Sequence, residues 1–292
     1  MVKEANAGAL VLYGNYSVGS RIGKGRFGYV FDAVDRATET AVAIKLVDGA
    51  IGAGGPEGSA CFEVVDDDCG IELARDEIDL MSWLPPHPNV VRMLEYFDTD
   101  VDGDPVVGIV LERADCDLYA RMADTPGGRL DERVAAKYVR DVALALQHLH
   151  RHGVMHRDVK PENVLIFSDS SGGRPIAKLC DFGWATSGPS SFVCGTLDYL
   201  PPEMIAVDVY DHRVDLWSLG VLAYELVAGR PPFENESRRA TKRSILAVDA
   251  HPLPDDVSDP ARDFVDRLLQ FVPSRRATID DVLAHAWLAL GP

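Results

Sequence analysis

The chain has 292 residues, enough for one large domain or two smaller ones sharing a cleft. With 47% hydrophobic and 26% charged residues it has the apolar surface to build a core, which excludes disorder throughout. Acids outnumber bases 46 to 29, a formal net charge of −17, which argues against non-specific binding to nucleic acid and favours either cationic partners or a solvated acidic surface. Residues 1–13 carry no signal-peptide pattern, and the most apolar helical stretch, 214–228, holds Asp215 and Glu225 and is too short for a membrane span. The five cysteines (61, 69, 116, 180 and 194) form no Cys-x-x-Cys pair, so reduced thiols in the cytosol or nucleus are expected, with no zinc site.

Residues 16–48 alternate β-branched and aromatic runs with glycine turns and read as strands. Residues 49–70 are rich in glycine, contain Asp66-Asp67-Asp68, and read as an inserted loop. A helix is predicted over 71–83, stopped by Pro85-Pro86, then strands near 91–98 and 106–112. Beyond 115 the pattern turns helical. Val134, Tyr138, Val142, Leu146 and Leu149 repeat at helical spacing behind Asp131, a good cap. A second strong helix over 214–228 is closed by Gly229 and Pro231, and further helices are expected over 236–247, 260–270 and 278–287. The expected class is therefore α+β and bilobal: a small β-rich lobe over 1–112 with one main helix, and a larger helical lobe over 113–292. Ligands favour the cleft between two lobes.

Gly23-Lys24-Gly25-Arg26-Phe27-Gly28 has the spacing of a dinucleotide-binding turn, but that turn opens a helix, and here the strand-like Tyr29-Val30-Phe31 follows. Glycines between two strands form a hairpin that can lie over phosphates. Seventeen residues beyond Gly28, Lys45 ends the apolar strand Ala41-Val42-Ala43-Ile44. A buried lysine needs a partner, and Glu77 on the 71–83 helix is the candidate; a surface lysine is the alternative. The strongest signal is His156-Arg157-Asp158-Val159-Lys160-Pro161-Glu162-Asn163, directly after the long helix. Asp158 can accept a hydroxyl proton, Lys160 can neutralise charge on a moving phosphoryl group, and Asn163 can hold a metal ion. Eighteen residues later, Asp181-Phe182-Gly183 offers a carboxylate suited to Mg²⁺.

Together and in this order, these residues resemble a eukaryotic-type protein kinase from about residue 16 to 288. The stretches Asp181-Phe182-Gly183-Trp184, Cys194-Gly195-Thr196-Leu197-Asp198-Tyr199-Leu200-Pro201-Pro202-Glu203 and Val214-Asp215-Leu216-Trp217-Ser218-Leu219-Gly220 are similar to the Aurora kinases. The resemblance implies ATP and Mg²⁺ as cofactors. Ile22, Gly23, Gly25, Gly28, Val30 and Ala43 would surround ATP, with Leu111 behind the adenine and Glu112 and Ala114 bonding it. Lys45, paired with Glu77, would hold the α- and β-phosphates, and Asn163 and Asp181 the metal. Asp158 would be the catalytic base and Lys160 would contact the γ-phosphate. Arg157, Glu203, Asp215 and Arg276 would be structural. Thr196 would face the substrate, and Glu162 and Glu225 would hold a substrate arginine two residues before the target Ser or Thr, the alternative being that both acids are merely solvated. Lys160-Pro161-Glu162-Asn163 points to Ser/Thr rather than Tyr substrates.

The implied partners are proteins with basic residues near the target and an activator protein on the small lobe. Nucleic acid and membrane are not expected, and the chain is expected to be a monomer. The location would be cytoplasmic or nuclear, at spindle or chromosomes if the Aurora resemblance extends to biology. The alternatives are a basophilic kinase outside the Aurora group, disfavoured because no aromatic tail precedes Pro292, and a non-catalytic pseudokinase scaffold, disfavoured because Lys45, Asp158, Asn163 and Asp181 are all present.

Two departures stand out. The segment Pro189-Ser190-Ser191-Phe192-Val193-Cys194 is about three residues shorter than the Aurora activation loop, and Phe192 stands at or near the place of its phosphothreonine, although Arg157, which pairs with that phosphate in the family, is retained. Either Ser190 or Ser191 is phosphorylated, or the loop is ordered without phosphate. No basic residue lies just upstream of the serines, so weak dependence on loop autophosphorylation is expected. The 49–70 insertion also lengthens the spacing between Lys45 and Glu77. His148 and His152, four apart, and the thiols of Cys116 and Cys180 are read as packing groups.

Overall fold

The computed structural model describes residues 11–25, 28–48, 69–101, 103–168 and 172–290. Most of the 49–70 insertion, including Cys61 and Asp66-Asp67-Asp68, lies outside the described residues, as do Arg26 and Phe27. The chain divides into two compact units, one ending at Ala114 and the other holding 87–90 and everything from Asp115 onward.

The N-terminal unit is an antiparallel sheet with one helix. Its strands are β1 (Val11–Tyr13), β2 (Tyr16–Lys24), β3 (Tyr29–Asp35) and β4 (Thr40–Asp48), then, after helix α1 (Cys69–Trp83), β5 (Met93–Val101) and β6 (Asp104–Glu112). The spatial order is β1-β2-β3-β4-β6-β5. Period-two alternation places Tyr16, Val18, Tyr29, Phe31, Ala33, Val42, Ile44, Leu46, Val106 and Val110 in one core, with Phe97 packed against it. β4, between β3 and β6, is buried along Val42–Asp48, the charged Lys45 and Asp48 included.

The C-terminal unit is mainly helical. After β7 (Cys116–Asp117) and α2 (Leu118–Ala123), capped by Asp117, comes α3 (Glu132–Arg151). Asp131 accepts the amide of Arg133 at its start, and Ala135, Tyr138, Val139, Val142, Leu146 and Leu149 bury one stripe. Strands β8 (Val154–Met155), β9 (Val164–Phe167), β10 (Ile176–Leu179) and β11 (Thr186–Ser187) follow. They pair as a small sheet β10-β9-β7 and a two-stranded β11-β8. These strands interrupt the helical pattern expected beyond 115; runs of two to four residues are too short to show a period. Next come α4 (Pro202–Ile205), α5 (Arg213–Ala228), α6 (Arg238–Ala247), α7 (Asp259–Leu268) and α8 (Ile279–Leu283). In α5 every residue from Val214 to Val227 is buried, and Gly229 closes the helix at φ +81°. Trp217 of α5 stacks on Phe233 with ring centroids 5.4 Å apart.

The expected single helix over 278–287 is corrected: α8 ends at Leu283 and a separate 3₁₀ segment runs Ala286–Leu290. The break lets fully buried Trp287 pack on Phe264 at 4.8 Å and donate its indole N–H to Glu132 of α3 at 3.0 Å. His285 Nδ1 accepts the Trp287 amide, satisfying a donor that the interrupted helix no longer serves.

Candidate active site

Within the N-terminal unit the glycine-rich turn joins β2 to β3. Its closing bond runs from the Gly25 amide to the Gly28 carbonyl, 2.9 Å. Gly28 is required sterically, because a Cβ there would stand 2.1 Å from the Leu46 carbonyl oxygen of β4. Gly23 and Gly25 meet no comparable obstacle; a Cβ on Gly25 would lie 3.9 Å from the Lys45 side chain. Lys45 is only 5% exposed, and its Nζ lies 2.7 Å from Oε2 of Glu77, itself buried, so the surface-lysine alternative is excluded. An ammonium held out of water needs such a partner, and the α1 helix supplies it. In the sheet, Val30 pairs with Lys45 and Ala43 with Leu111, while Ile22 stays exposed. At the end of β6 the Glu112 carboxylate accepts the Arg92 amide at 2.8 Å. Ala114 is buried, and its carbonyl accepts from Arg113, whose Nε also bonds Asp32 Oδ1 at 2.7 Å.

Within the C-terminal unit, residues 156–163 are held by α5. Asp215 is fully buried and accepts the amides of His156 (2.9 Å) and Arg157 (2.8 Å), and His150 Nε2 lies 2.8 Å from it. Burial alone would push its carboxyl up, but the hydrogen bond and charge of His150, with the backbone donors, outweigh that and hold it below the usual carboxylate range. Arg157 itself sits at φ +69° and Asp181 at φ +61°, left-handed conformations that cost energy in a side chain-bearing residue and cluster at functional positions.

Asp158 is the hub. Its Oδ2 accepts from Asn163 Nδ2 at 3.0 Å and pairs with Lys160 Nζ at 2.9 Å; its Oδ1 accepts the Thr196 hydroxyl at 3.0 Å. Lys160 also donates to Thr196 Oγ1 at 2.8 Å. Burial opposes the Lys160 charge, yet the charge and hydrogen bond of Asp158 more than restore it, and its pKa rises. Asn163 donates from Nδ2 to Asp158 twice, which leaves its amide oxygen for an acceptor role. His156 Nε2 lies 3.0 Å from the Cys180 carbonyl, next to Asp181, and its ring meets buried Phe182 edge-on at 5.3 Å. Gly195 approaches so closely that a Cβ would be 2.7 Å from the Arg157 carbonyl oxygen.

Similarity to known proteins bears on this arrangement. The protein kinase domain family matches residues 16–288. An Aurora kinase of Patiria pectinifera is 39% identical over 291 residues, covering 98% of this chain and 65% of its own length. Aurora kinase B of Danio rerio is 38% identical over 278 residues, covering 94% of this chain and 79% of its own. The Aurora kinase of Schizosaccharomyces pombe is 38% identical over 280 residues, with 94% and 72% covered. The chain belongs to the protein kinases, and within them to the Aurora kinases. It spans less than two thirds of the length of the Patiria relative.

In this Aurora-family chain the remaining expected residues fall in two places. Arg276 and Glu203 form a buried bidentate pair at 2.6 and 2.7 Å, and Arg276 also reaches the carbonyls of Arg213 and Gln270. Glu162 is exposed, whereas Glu225 is 7% exposed and accepts the Tyr199 hydroxyl, so the alternative that both acids are solvated fails for Glu225. Burial pushes the Glu225 carboxyl up to about 7, against the lowering effect of the Tyr199 bond, and the acids Glu162, Asp198 and Glu234 push the same way. Glu162, although its side chain reaches solvent, is raised too, by crowding from the surrounding protein and then by Asp158 and Asp117, against the lowering effect of Lys160.

Sequence reasoning missed Tyr199 and His150. A signal existed for Tyr199: a charged residue inside so apolar a helix as α5 demands a buried partner. Of the residues read as packing groups, His148 lies between His87 and His152 at 4.7 and 4.6 Å, and no metal-binding cluster occurs among the described residues. Burial raises the Cys116 thiol, opposite to what a reactive thiolate needs.

Proposed function

We propose that this chain transfers the γ-phosphoryl group of ATP to a serine or threonine hydroxyl of protein substrates, with Mg²⁺. The observation that carries the reading is the Asp158 cluster. Its carboxylate already accepts a hydroxyl, that of Thr196, with the charged Lys160 bonded to both groups. A substrate hydroxyl received at the same carboxylate would be aligned and could hand over its proton as the phosphoryl group arrives. Lys160 would neutralise charge on the transferring oxygens.

From the N-terminal unit, Lys45, fixed by Glu77, is assigned to the α- and β-phosphates. Gly23, Gly25 and Gly28 are assigned to the turn that covers the phosphates, and Ile22, Val30, Ala43, Glu112 and Ala114 to the nucleoside. From the C-terminal unit, Asn163 and Asp181 are assigned to Mg²⁺; the hard oxygens of a carboxylate and an amide oriented by Asp158 suit that ion. The chemistry supplied there would be neutralisation of phosphate charge. Arg157, Glu203, Asp215 and Arg276 hold the surrounding backbone.

For substrate choice we assign Glu162 and Glu225 to an arginine two residues before the target. Glu225 near half-ionisation at neutral pH would complete its ionisation beside a guanidinium. Basic proteins of cell division as substrates, an activator on the N-terminal unit, and a cytoplasmic or nuclear location are what the Aurora resemblance implies, and they belong to the same proposal. No helix among the described residues is long and apolar enough to cross a membrane.

The test is a peptide pair that differs only in arginine or alanine two residues before the serine. The arginine peptide is expected to show kcat/KM higher by about 10- to 100-fold, the range of a charged hydrogen-bonded pair. Glu225→Gln should shrink that ratio, and equal kcat/KM for both peptides would overturn the arginine assignment.

A further inference from the structure

The kinase reading leaves one residue without a role. Tyr210 follows α4, and no motif includes it. It is 4% exposed, and its backbone exchanges two hydrogen bonds with Ser190: Ser190 N–H to the Tyr210 carbonyl at 3.1 Å, and Tyr210 N–H to the Ser190 carbonyl at 2.8 Å. Its hydroxyl donates to the Phe192 carbonyl at 2.5 Å and accepts from Arg157 Nη1 at 3.1 Å. The same guanidinium reaches the Trp184 carbonyl through Nε at 2.5 Å and Ser190 Oγ through Nη1 at 3.4 Å. Ser190 Oγ accepts the Phe192 amide at 3.2 Å, and the Phe192 and Trp184 rings lie 5.8 Å apart. One arginine and one tyrosine thus tie residues 184, 190 and 192 of the activation segment to the backbone of residue 157, which Asp215 anchors.

The local chain explains how Tyr210 arrives there. Just beyond α4 stands Val207 at φ +61°, and the Asp208 amide bonds back to the Glu203 carbonyl at 3.0 Å. A β-branched residue in the left-handed region is strained and persists only where its surroundings impose it. The reversal sends 208–210 back along Ser190.

We infer that Tyr210 is a positioning residue that orders the activation segment without phosphate, its phenol supplying Arg157 with the acceptor that a phosphorylated loop residue would otherwise supply. A phenol fits this role chemically: it offers Arg157 one oxygen and also donates a proton to Phe192, which a phosphate dianion cannot do. Burial raises the Tyr210 pKa, so that proton is retained at neutral pH. The inference rests on the kinase reading but can be judged apart from it.

The experiment uses the full chain, treated with phosphatase and shown by mass spectrometry to carry no phosphate, as wild type and as Tyr210→Phe. The dephosphorylated wild type is expected to keep its kcat within about threefold of the protein as purified. Tyr210→Phe is expected to lower kcat about tenfold, the scale of one hydrogen bond to a charged group, with KM for ATP unchanged. Amide hydrogen exchange of residues 190–194 is expected to quicken in Tyr210→Phe while that of α5 stays as in wild type. A loss beyond about 100-fold on dephosphorylation overturns the inference and points to phosphoserine at 190 or 191. Equal kcat and equal exchange in Tyr210→Phe also overturn it. If the wild type transfers no phosphoryl group in either form, the kinase reading fails, and the exchange result alone decides the role of Tyr210.

Discussion

Several side chains here are in places that only their partners make tolerable. Lys45 and Glu77 are both buried, so each depends on the other, and the pairing could be foreseen because a lysine ending an apolar strand cannot stay alone. Glu225 is the less comfortable case. Its carboxyl is pushed from 4.5 to about 7 by burial and by neighbouring acids, so the folded chain binds more protons there than the unfolded chain does. Stability must then fall as pH rises from about 4.5 to about 7 and level off above, by an amount on the order of 3 kcal/mol. Glu225→Gln keeps an acceptor for Tyr199 and removes the titration. Urea denaturation at pH 5 and pH 8 should show the wild type losing more stability than the variant over that interval; parallel profiles would contradict the burial argument. The sequence signalled that Glu225, inside an apolar helix, needs a buried partner, but not which one, because Tyr199 lies 26 positions away in a different motif.

The helices and strands were legible to the extent that they are long and periodic. α3 announces itself through apolar spacing behind Asp131, and α5 through a long, nearly unbroken apolar run closed by Gly229. The strands β7 to β11 did not, since two to four residues cannot display alternation. The interrupted last helix was misread because the demand of Trp287 for Glu132 and Phe264 is a tertiary one. Close packing between helices leaves a sharper trace. A Cβ on Gly220 of α5 would stand 2.7 Å from the Leu268 Cβ of α7. Gly220→Val should therefore lower stability by about 2 kcal/mol in chemical denaturation, despite replacing a poor helix former. A variant as stable as wild type would mean that α5 and α7 can separate at no cost.

Across the molecule, the excess of acid that opens the sequence has a local expression. Burial raises the carboxyls of Glu225 and Asp198, and neighbouring acids add to it: Glu162, Asp198 and Glu234 at Glu225, and Glu234 at Asp198. Such a concentration suits a cationic substrate segment, the choice that composition alone left open against a merely solvated surface. The motifs were legible because phosphoryl transfer needs fixed residue types at fixed spacings. Tyr210 was not, because it stands outside every motif and acts only through Arg157 and the backbone of Ser190 and Phe192. The central claim is that the Asp158 cluster performs the transfer, and Asp158→Asn tests it most directly, since it keeps the size of the side chain and removes the acceptor charge. With Mg-ATP and a basic serine peptide, kcat should fall by about 10²- to 10⁴-fold, the range of general base catalysis, while KM for ATP changes little. A variant that phosphorylates the peptide as fast as wild type would contradict the account.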